Sequence, residues 1–125
     1  MTTKTVLIVD DSATMRNMIK AVATEMGFEI HTAQDGEKAY RMCEHQKFDI
    51  VITDINMPNM DGIELIRLLR ESENAKYTPI LVITTEGGDN VKQAGKAAGA
   101  SGWIVKPFNP DTLKRAVAKL CGMDA

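Results

Sequence analysis

The segment Ile50-Val51-Ile52-Thr53-Asp54-Ile55-Asn56-Met57-Pro58 decides the fold predicted for this chain. Its apolar beginning has the length of a strand and is followed by Pro58 and by Asp61-Gly62, which favours a buried strand that ends at a carboxylate. Asp54 would then lie where a strand gives way to a loop, and ligands bind at that edge of an open α/β sheet. Taken alone, Asp54 could equally begin a plain turn, as Asp often does. The residues in the rest of the chain decide between a ligand-binding position and a plain turn for Asp54.

Four further segments have the composition of strands, and helical patterns follow each of the strands. The predicted strands cover residues 5–9, 28–33, 48–53, 79–83 and 102–105. The first, third and fourth are almost uniformly apolar, which predicts coverage on both faces, whereas the second alternates as an edge strand does. Helical spacing predicts inward-facing residues at Met15, Met18, Ile19, Val22, Met26, Ala39, Met42, Cys43, Ile63, Ile66, Leu69, Leu113, Val117 and Leu120.

This alternation predicts an α/β fold in which helices cover both faces of one parallel sheet. Because the most apolar strands belong in the middle, the expected order of the five strands is 2-1-3-4-5, with five helices in a doubly wound, flavodoxin-like arrangement. The topological switch point then lies between the first and third strands. Neither a linker nor an internal repeat interrupts the pattern, so we expect a single domain over residues 1–125.

The helix predicted between Gly88 and Gly99 is the weakest of the five. Its interior carries Gly95 and several alanines, and Val91 is its largest apolar residue. An interior Gly costs ~1 kcal/mol relative to Ala. We therefore expect this helix to be the most mobile element.

Composition narrows the class of protein. The formal net charge of −2 gives no general attraction to nucleic acid or to an anionic membrane, although it leaves room for a local basic patch. Apolar runs fall far short of the ~20 residues that a membrane-spanning helix needs. Cys43 and Cys121 lie on predicted apolar helix faces, which favours reduced core cysteines over a disulfide. We expect a cytoplasmic protein without membrane insertion.

Polar side chains follow the apolar strands and should meet at one edge of the sheet. Asp10 and Asp11 follow the first strand, Asp54 the third, Thr84 the fourth and Lys106 the fifth. Three carboxylates in one pocket repel one another unless a cation is present, and Mg²⁺ suits such a site because it uses few carboxylates and keeps several waters. The metal, the lysine and the hydroxyl could bind three oxygens of a phosphoryl group, with a carboxylate as nucleophile.

Each of these signals also has a plainer structural reading. The pair Asp10-Asp11 could simply cap a helix, Thr84 could reflect strand propensity, and Lys106-Pro107 could end a strand. His31 and His45 have no companion residues at the spacing of metal ligands, so we interpret both as structural or surface residues. The occurrence of all the strand-end signals in chain order favours the functional reading.

The pair Asp10-Asp11, the segment Asp54-x-x-Met57-Pro58-x-x-Asp61-Gly62, Thr84 and Lys106-Pro107 together resemble the receiver domain of two-component response regulators. The resemblance spans the whole chain, and the joint motif is highly specific. Within the family, the chain is most similar to the stand-alone chemotaxis regulators. The stretches that carry this narrower likeness are 12–16, 56–62 and 100–103.

The resemblance implies specific roles at the metal and phosphoryl site. Asp54 would be the phosphoacceptor. Mg²⁺ would be held by Asp11, Asp54 and the backbone carbonyl of Asn56, with Asp10 assisting through water. The family also implies a cis peptide bond between Lys106 and Pro107.

Other positions would act around the phosphoryl group. Lys106 and Thr84 would contact its oxygens, and Asn56 and Glu86 match positions that tune dephosphorylation in the family. Thr84 and the aromatic position on the fifth strand would form the switch. That aromatic is usually Tyr or Phe but is Trp103 here, a larger side chain without a hydroxyl.

These implications favour a signalling switch. A histidine kinase would phosphorylate Asp54 in a chain that acts as a monomer. The output partner, expected to be a flagellar motor switch protein in chemotaxis, would bind the face formed by the fourth helix, fifth strand and fifth helix, and a phosphatase could end the signal. A phosphorelay intermediate and a phosphate sink remain alternatives.

Two other classes of protein fit less well. A Mg²⁺-dependent phosphatase with an aspartyl nucleophile characteristically carries a second Asp two residues later as general acid, but this chain has Asn56 there. A DNA-binding regulator would need a further domain with a recognition helix. The sequence ends at Ala125 without one, so we expect neither class.

Overall fold

The computed structural model describes residues 3–123, so the predicted domain limits at residues 1 and 125 lie outside the described chain. Strands and helices alternate along it. The strands are β1 (Thr5–Val9), β2 (Glu29–Ala33), β3 (Ile50–Thr53), β4 (Ile80–Thr84) and β5 (Gly102–Val105). The helices are α1 (Ala13–Glu25), α2 (Gly36–His45), α3 (Gly62–Glu71), α4 (Asp89–Ala98) and α5 (Pro110–Leu120).

The five strands form one parallel sheet in the order β2-β1-β3-β4-β5, which confirms the predicted topology. Val9 at the end of β1 lies opposite Ala33 of β2 and Thr53 of β3. At the other side of the sheet, Thr84 lies opposite Val105. The residues that follow these strands therefore emerge together at the carboxyl edge of the sheet.

Alternation along the central strands divides the core into two layers. Helices α2, α3 and α4 cover one face, and α1 and α5 cover the other. The first layer contains Leu7, Val9, Val51, Ile80 and Val82 from the strands, and the second contains Val6, Ile8, Ile50, Ile52, Leu81 and Ile83. Burial of strand side chains on both faces explains why these strands are almost uniformly apolar.

Side-chain caps fix where most of the helices begin. Ser12, Asp35, Asp61 and Asn109 each accept a hydrogen bond from a backbone N–H in the first turn of α1, α2, α3 and α5, respectively. Such caps satisfy backbone donors that a helix leaves unpaired at its start. Helix α4 begins after Gly88, which has no side chain to cap it.

Several expectations about individual residues need correction. Met18 is 48% exposed, because its place on α1 lies outside the strip formed by the buried Ile19 and Val22. Leu65 is fully buried in α3 although the predicted stripe omitted it. Ile63 is partly buried and packs against the core, in agreement with its predicted inward face.

Cys43 is buried in α2 as predicted, whereas Cys121 follows the end of α5 and is only partly buried. Cys43 and Cys121 are both free, and burial raises the pKa of the Cys43 thiol to about 11. Burial also raises the pKa of Cys121. Among residues 3–123, no helix combines the length and the hydropathy needed to cross a bilayer.

Candidate functional site

Three carboxylates meet at the carboxyl edge of the sheet. Asp10, Asp11 and Asp54 each offer an oxygen atom, and these oxygens lie within 4.8 Å of one another. Asp10 is 1% exposed and Asp54 is 8% exposed, whereas Asp11 faces solvent. Buried carboxylates this close repel one another, so the cluster needs positive charge.

Lys106 supplies part of that charge from the residue that follows β5. Its Nζ donates hydrogen bonds to Asp10 Oδ2 at 2.9 Å and to Asp54 Oδ2 at 2.7 Å. Burial favours the neutral amine, but the hydrogen bonds to Asp54 and Asp10 outweigh it and raise the pKa of Lys106 above 10.5. Lys106 is therefore an ammonium group near neutral pH. The Lys106–Pro107 peptide bond is cis, as the family resemblance implies.

Backbone donors orient the two buried carboxylates. The Ile55 N–H donates to Asp54 Oδ1 at 2.6 Å, and the Ser12 N–H donates to Asp10 Oδ1 at 2.9 Å. Each of these carboxylates thus has one oxygen held by the main chain and the other by Lys106.

The donor set fits a divalent cation of the Mg²⁺ class. Counted by formal charge, three carboxylates and one ammonium group leave the cluster with a net charge of about −2. Within residues 3–123, the Asp11 carboxylate and the backbone carbonyl of Asn56 accept no hydrogen bond, which leaves both oxygens available as ligands. Oxygen ligands with excess negative charge are what a hard cation prefers. The acidic cluster could hold such a metal ion.

Thr84, Asn56 and Glu86 are linked beside the carboxylates. Thr84 is fully buried at the end of β4, and its hydroxyl accepts a hydrogen bond from the Glu86 N–H at 3.2 Å. The Asn56 side-chain amide donates to Glu86 Oε1 at 3.2 Å. The loops that follow β3 and β4 therefore touch each other through the two residues that the family resemblance connects with dephosphorylation.

Trp103 lies on β5 and packs against α4. Its indole N–H donates to the Glu86 carbonyl oxygen at 3.0 Å. A Cβ atom added at Gly95 would lie 2.4 Å from Cζ3 of the indole ring. The ring therefore occupies a slot that exists only because Gly95 has no side chain.

The loop after Asp54 is held against both neighbouring helices. A Cβ atom at Gly62 would lie 2.1 Å from the Asp54 carbonyl oxygen, so only Gly fits at the start of α3. Asn59 adopts a φ of 70° and donates a side-chain hydrogen bond to Asp35 Oδ2 at 3.0 Å. The loop is thereby fixed to the cap of α2 at one point and to α3 at another.

The structure thus gathers the predicted carboxylates and Lys106 at the carboxyl edge of the sheet, with Thr84 at the end of β4 beside them, whereas Trp103 lies within β5 and is joined to this edge through Glu86. It adds two residues that the sequence reasoning missed. Arg16 donates a hydrogen bond from Nη1 to the Asp10 carbonyl oxygen at 2.7 Å. Asn59, as described, anchors the loop that follows Asp54. A basic residue one turn into the helix after an acidic pair is a sequence signal that could have indicated Arg16; Asn59 has no comparable signal.

Comparison with known proteins shows what this chain is similar to. Residues 6–118 match the family model described as response regulator receiver domain. The chemotaxis protein CheY of Pseudomonas aeruginosa is 41% identical over 117 residues, which cover 92% of this chain and 94% of that protein. Chemotaxis protein CheY-3 of Vibrio cholerae is 41% identical over 116 residues, covering 92% of this chain and 89% of that protein.

Solved structures show the same likeness. The chemotaxis response regulator CheY4 of Vibrio cholerae superposes with a TM-score of 0.89 at 44% identity, covering 95% of this chain and 99% of that one. The receiver domain of a sensor histidine kinase from Pseudomonas aeruginosa, at 26% identity, gives a TM-score of 0.90 and covers 97% of this chain and 99% of that one. That structure has a magnesium ion coordinated in its active-site cleft.

Proposed function

This chain belongs to the response regulator receiver domain family, and we propose that it is a switch in which Asp54 accepts a phosphoryl group from a histidine kinase. The observation that carries the proposal is the contact of Lys106 Nζ with Asp54 Oδ2, at 2.7 Å, inside the carboxylate cluster. An ammonium group held at the carboxylate can remain with a phosphoryl oxygen once the carboxylate has reacted.

The transfer is a simple displacement at phosphorus. An oxygen of Asp54 forms a P–O bond while the bond from phosphorus to the imidazole nitrogen of the donor breaks, and that nitrogen then takes up a proton. The Ile55 N–H keeps Asp54 oriented through Oδ1. Lys106 and the Thr84 hydroxyl then bind phosphoryl oxygens; the Thr84 hydroxyl, which accepts from the Glu86 N–H, keeps its own proton free to donate.

The residues present fit Mg²⁺. Asp11, Asp54 and the backbone carbonyl of Asn56 would hold the ion, with Asp10 acting through water. When bound, Mg²⁺ would offset the charge on the cluster and on the phosphoryl oxygens.

Asn56 and Glu86 would set how long the phosphoryl group persists. Their side chains meet at 3.2 Å beside the phosphoacceptor, so together they limit the approach of water to phosphorus. Because Asn56 occupies the position where an aspartyl-nucleophile phosphatase has a general acid, we propose that the chain only assists its own phosphorylation and dephosphorylation and is not an enzyme in the ordinary sense.

The proposed output is a protein contact in chemotaxis, in the cytoplasm, by a monomeric chain. Both curated relatives carry chemotaxis names, which supports this choice. A motor switch protein would bind the face formed by α4, β5 and α5 after phosphorylation, and a separate phosphatase could end the signal. A role as a phosphorelay intermediate or as a phosphate sink is the alternative.

Phosphorylation with a small phosphodonor and Mg²⁺ tests the proposal. Intact mass measurement should show one added phosphoryl group that base and hydroxylamine remove, as expected of an acyl phosphate, and Asp54→Asn should abolish it. Asp49→Asn, which changes a carboxylate at the opposite end of β3, is the matched control and should still be labelled. A label that persists in Asp54→Asn and maps to Ser or Thr would contradict the proposal.

The metal can be tested separately through Trp103, the only tryptophan. We expect Mg²⁺ to change its fluorescence with saturation, and Asp11→Ala to weaken binding strongly because an available carboxylate ligand is lost. Lys106→Ala should still bind the metal but should disconnect phosphorylation from partner binding. Equal Mg²⁺ affinity in Asp11→Ala would place the ion elsewhere.

A further inference from the structure

A cleft of about 460 Å³ lies between α1, the end of β2 and α2, beside the candidate site. Three cationic side chains, from Arg16, Lys38 and Arg41, line it. Exposed Thr32 and Gln34 add polar groups. The lining contains no acidic residue. This is a local basic patch on a chain whose net charge is −2.

Two of the three cations have no carboxylate partner. Within residues 3–123, neither Arg16 nor Lys38 takes part in an ion pair. Lys38 Nζ instead donates to the neutral side-chain oxygen of Gln34 at 3.2 Å. Arg41 pairs with Glu37 at 2.6 Å, but both side chains are exposed, and such a pair is worth little and exchanges easily.

The cleft is joined to the candidate site through Asp10. Arg16 donates to the Asp10 carbonyl oxygen, and the Asp10 N–H donates to the Ala33 carbonyl oxygen at 3.2 Å. Ala33 lines the cleft, and Asp10 binds Lys106 on its other side. Asp10 therefore connects the lining of the cleft to Lys106, which also contacts Asp54.

We propose that this cleft docks a short acidic segment of the protein that exchanges the phosphoryl group at Asp54. That the partner exchanges a phosphoryl group with Asp54 rests on the proposed function, whereas the acidic character of the segment is inferred from the cationic lining of the cleft. Carboxylates of the segment would pair with Arg16, Lys38 and Arg41, and the docked protein would lie beside the edge of the sheet that carries Asp54. Complementary charge of this kind gives orientation and a faster encounter more than raw affinity.

The size and setting of the cleft favour an acidic peptide over nucleic acid. A nucleic-acid backbone is long, and proteins bind it with many Lys and Arg side chains, each of which neutralises one phosphate. Here the lining cations number three, and Glu37 lies beside them. A compact cationic cleft suits a few consecutive carboxylates.

In the test, a short, capped oligoglutamate peptide is titrated into the whole chain, and binding is measured by the shifts of backbone amide resonances. We expect saturable shifts at Thr32, Gln34 and Lys38, and none with oligoglutamine of equal length. The double variant Lys38→Glu/Arg41→Glu should bind at least about tenfold more weakly, because attraction becomes repulsion. Lys38→Arg/Arg41→Lys keeps both charges and should retain binding, which separates loss of charge from loss of fold.

The matched control reverses two lysines on another element. Lys92 and Lys96 of α4 line a separate cleft near Trp103, and Lys92→Glu/Lys96→Glu should leave the shifts at Thr32 and Gln34 intact. Shifts that survive Lys38→Glu/Arg41→Glu, or that vanish equally in the control, would overturn the proposal. Because the titration needs neither phosphodonor nor Mg²⁺, its failure would leave the phosphorylation of Asp54 unaffected, and unphosphorylatable Asp54→Asn should still bind the peptide.

Discussion

Lys106 joins two buried carboxylates, Asp10 and Asp54, that follow different strands of the sheet. Its place after an apolar strand put it at the same edge as Asp10 and Asp54, because the ends of parallel strands meet there. That Nζ would contact both carboxylates, at 2.9 and 2.7 Å, depends on side-chain directions that strand spacing does not determine. The edge was predictable, whereas the pairing of atoms was not.

Asp35 is a second residue whose importance emerged only in the structure. In the sequence, Asp35-Gly36 indicates a turn. In the structure its carboxylate accepts hydrogen bonds from the Lys38 N–H at 2.9 Å and from Asn59 Nδ2 at 3.0 Å. One carboxylate therefore caps α2 and holds the loop that follows the phosphoacceptor.

The hydrogen bond from the Lys38 N–H, helped by that from Asn59 and opposed by burial, lowers the pKa of Asp35 below 3.8. A lowered pKa in the folded state means that the ionised form stabilises the fold above pH 3.8, and that this contribution is lost as pH falls through the folded-state value. We expect Asp35→Asn to lower the free energy of unfolding near neutral pH by about 1 kcal/mol, because an amide cannot accept from both donors with both of its atoms.

The measurement for Asp35 is urea unfolding as a function of pH. The difference between the parent chain and Asp35→Asn should shrink as pH falls below 3.8, since the parent then loses the same charge. Asp111→Asn, an exposed carboxylate in the first turn of α5, is the control and should leave the acid limb unchanged. A constant difference across the whole pH range would show that the charge of Asp35 contributes nothing.

Among the elements, α4 is the one whose sequence was only half informative. Gly95 and the alanines correctly marked a helix with little apolar surface. They did not reveal why Gly is there: the indole ring of Trp103 lies where a Cβ atom at position 95 would be. Helical periodicity shows which face of α4 is buried, but it does not show which side chain of β5 packs against that face.

Gly95→Ala tests this slot. In an open helix the change should stabilise by ~1 kcal/mol through propensity. Here the added methyl group collides with a ring that is also fixed by its N–H bond to Glu86, and overpacking costs about 1–3 kcal/mol. We expect a net loss of stability in urea unfolding. In a Trp103→Leu background the same change should stabilise, and a loss of equal size in both backgrounds would exclude the slot.

Arg70 links α3 to the loops before β4 and β5, and its sequence position does not predict these contacts. It lies in the last turn of α3, and its guanidinium donates to the carbonyl oxygens of Thr78 at 2.7 Å and Gly99 at 2.8 Å. A Cβ atom at Gly99, whose φ is 118°, would lie 2.7 Å from the Arg70 side chain. In a linear pattern Arg70 is one more exposed helix residue, yet it ties the loop before β4 to the loop before β5.

At the scale of the whole molecule, strand order followed from composition because burial on both faces demands uniformly apolar strands. The switch point, and with it the position of the site, follows from that order. How the site communicates with the surface depends instead on the chain of contacts from Thr84 through Glu86 to Trp103 and Gly95. These contacts use the backbone N–H and the backbone carbonyl of Glu86, and the type of residue at a position does not determine the partners of its backbone groups.

That chain of contacts indicates where a signal should leave the protein. If Lys106 and Thr84 move toward a phosphoryl group on Asp54, the Glu86 backbone, whose N–H donates to the Thr84 hydroxyl, should be drawn along, and the Glu86 carbonyl that holds Trp103 should move with it. Helix α4, without a side-chain cap and with Gly95 in its interior, resists such a shift least. Only a partner with different affinities for the two states can exploit the change, and moving a population from 1:99 to 99:1 would need ~5.5 kcal/mol. A partial shift is therefore expected.

We expect phosphorylation of Asp54 to change amide hydrogen exchange mainly within residues 84–106. The half-buried Trp103 should become less accessible to a fluorescence quencher, because it turns further inward as the space behind Thr84 opens. Asp54→Asn treated with the same phosphodonor and Mg²⁺ is the control and should show neither change. Exchange differences confined to α1 and α2 would mean that the signal leaves by another face, even with Asp54 phosphorylated. The contacts that run from Thr84 through Glu86 to Trp103 and Gly95 include no residue of either helix.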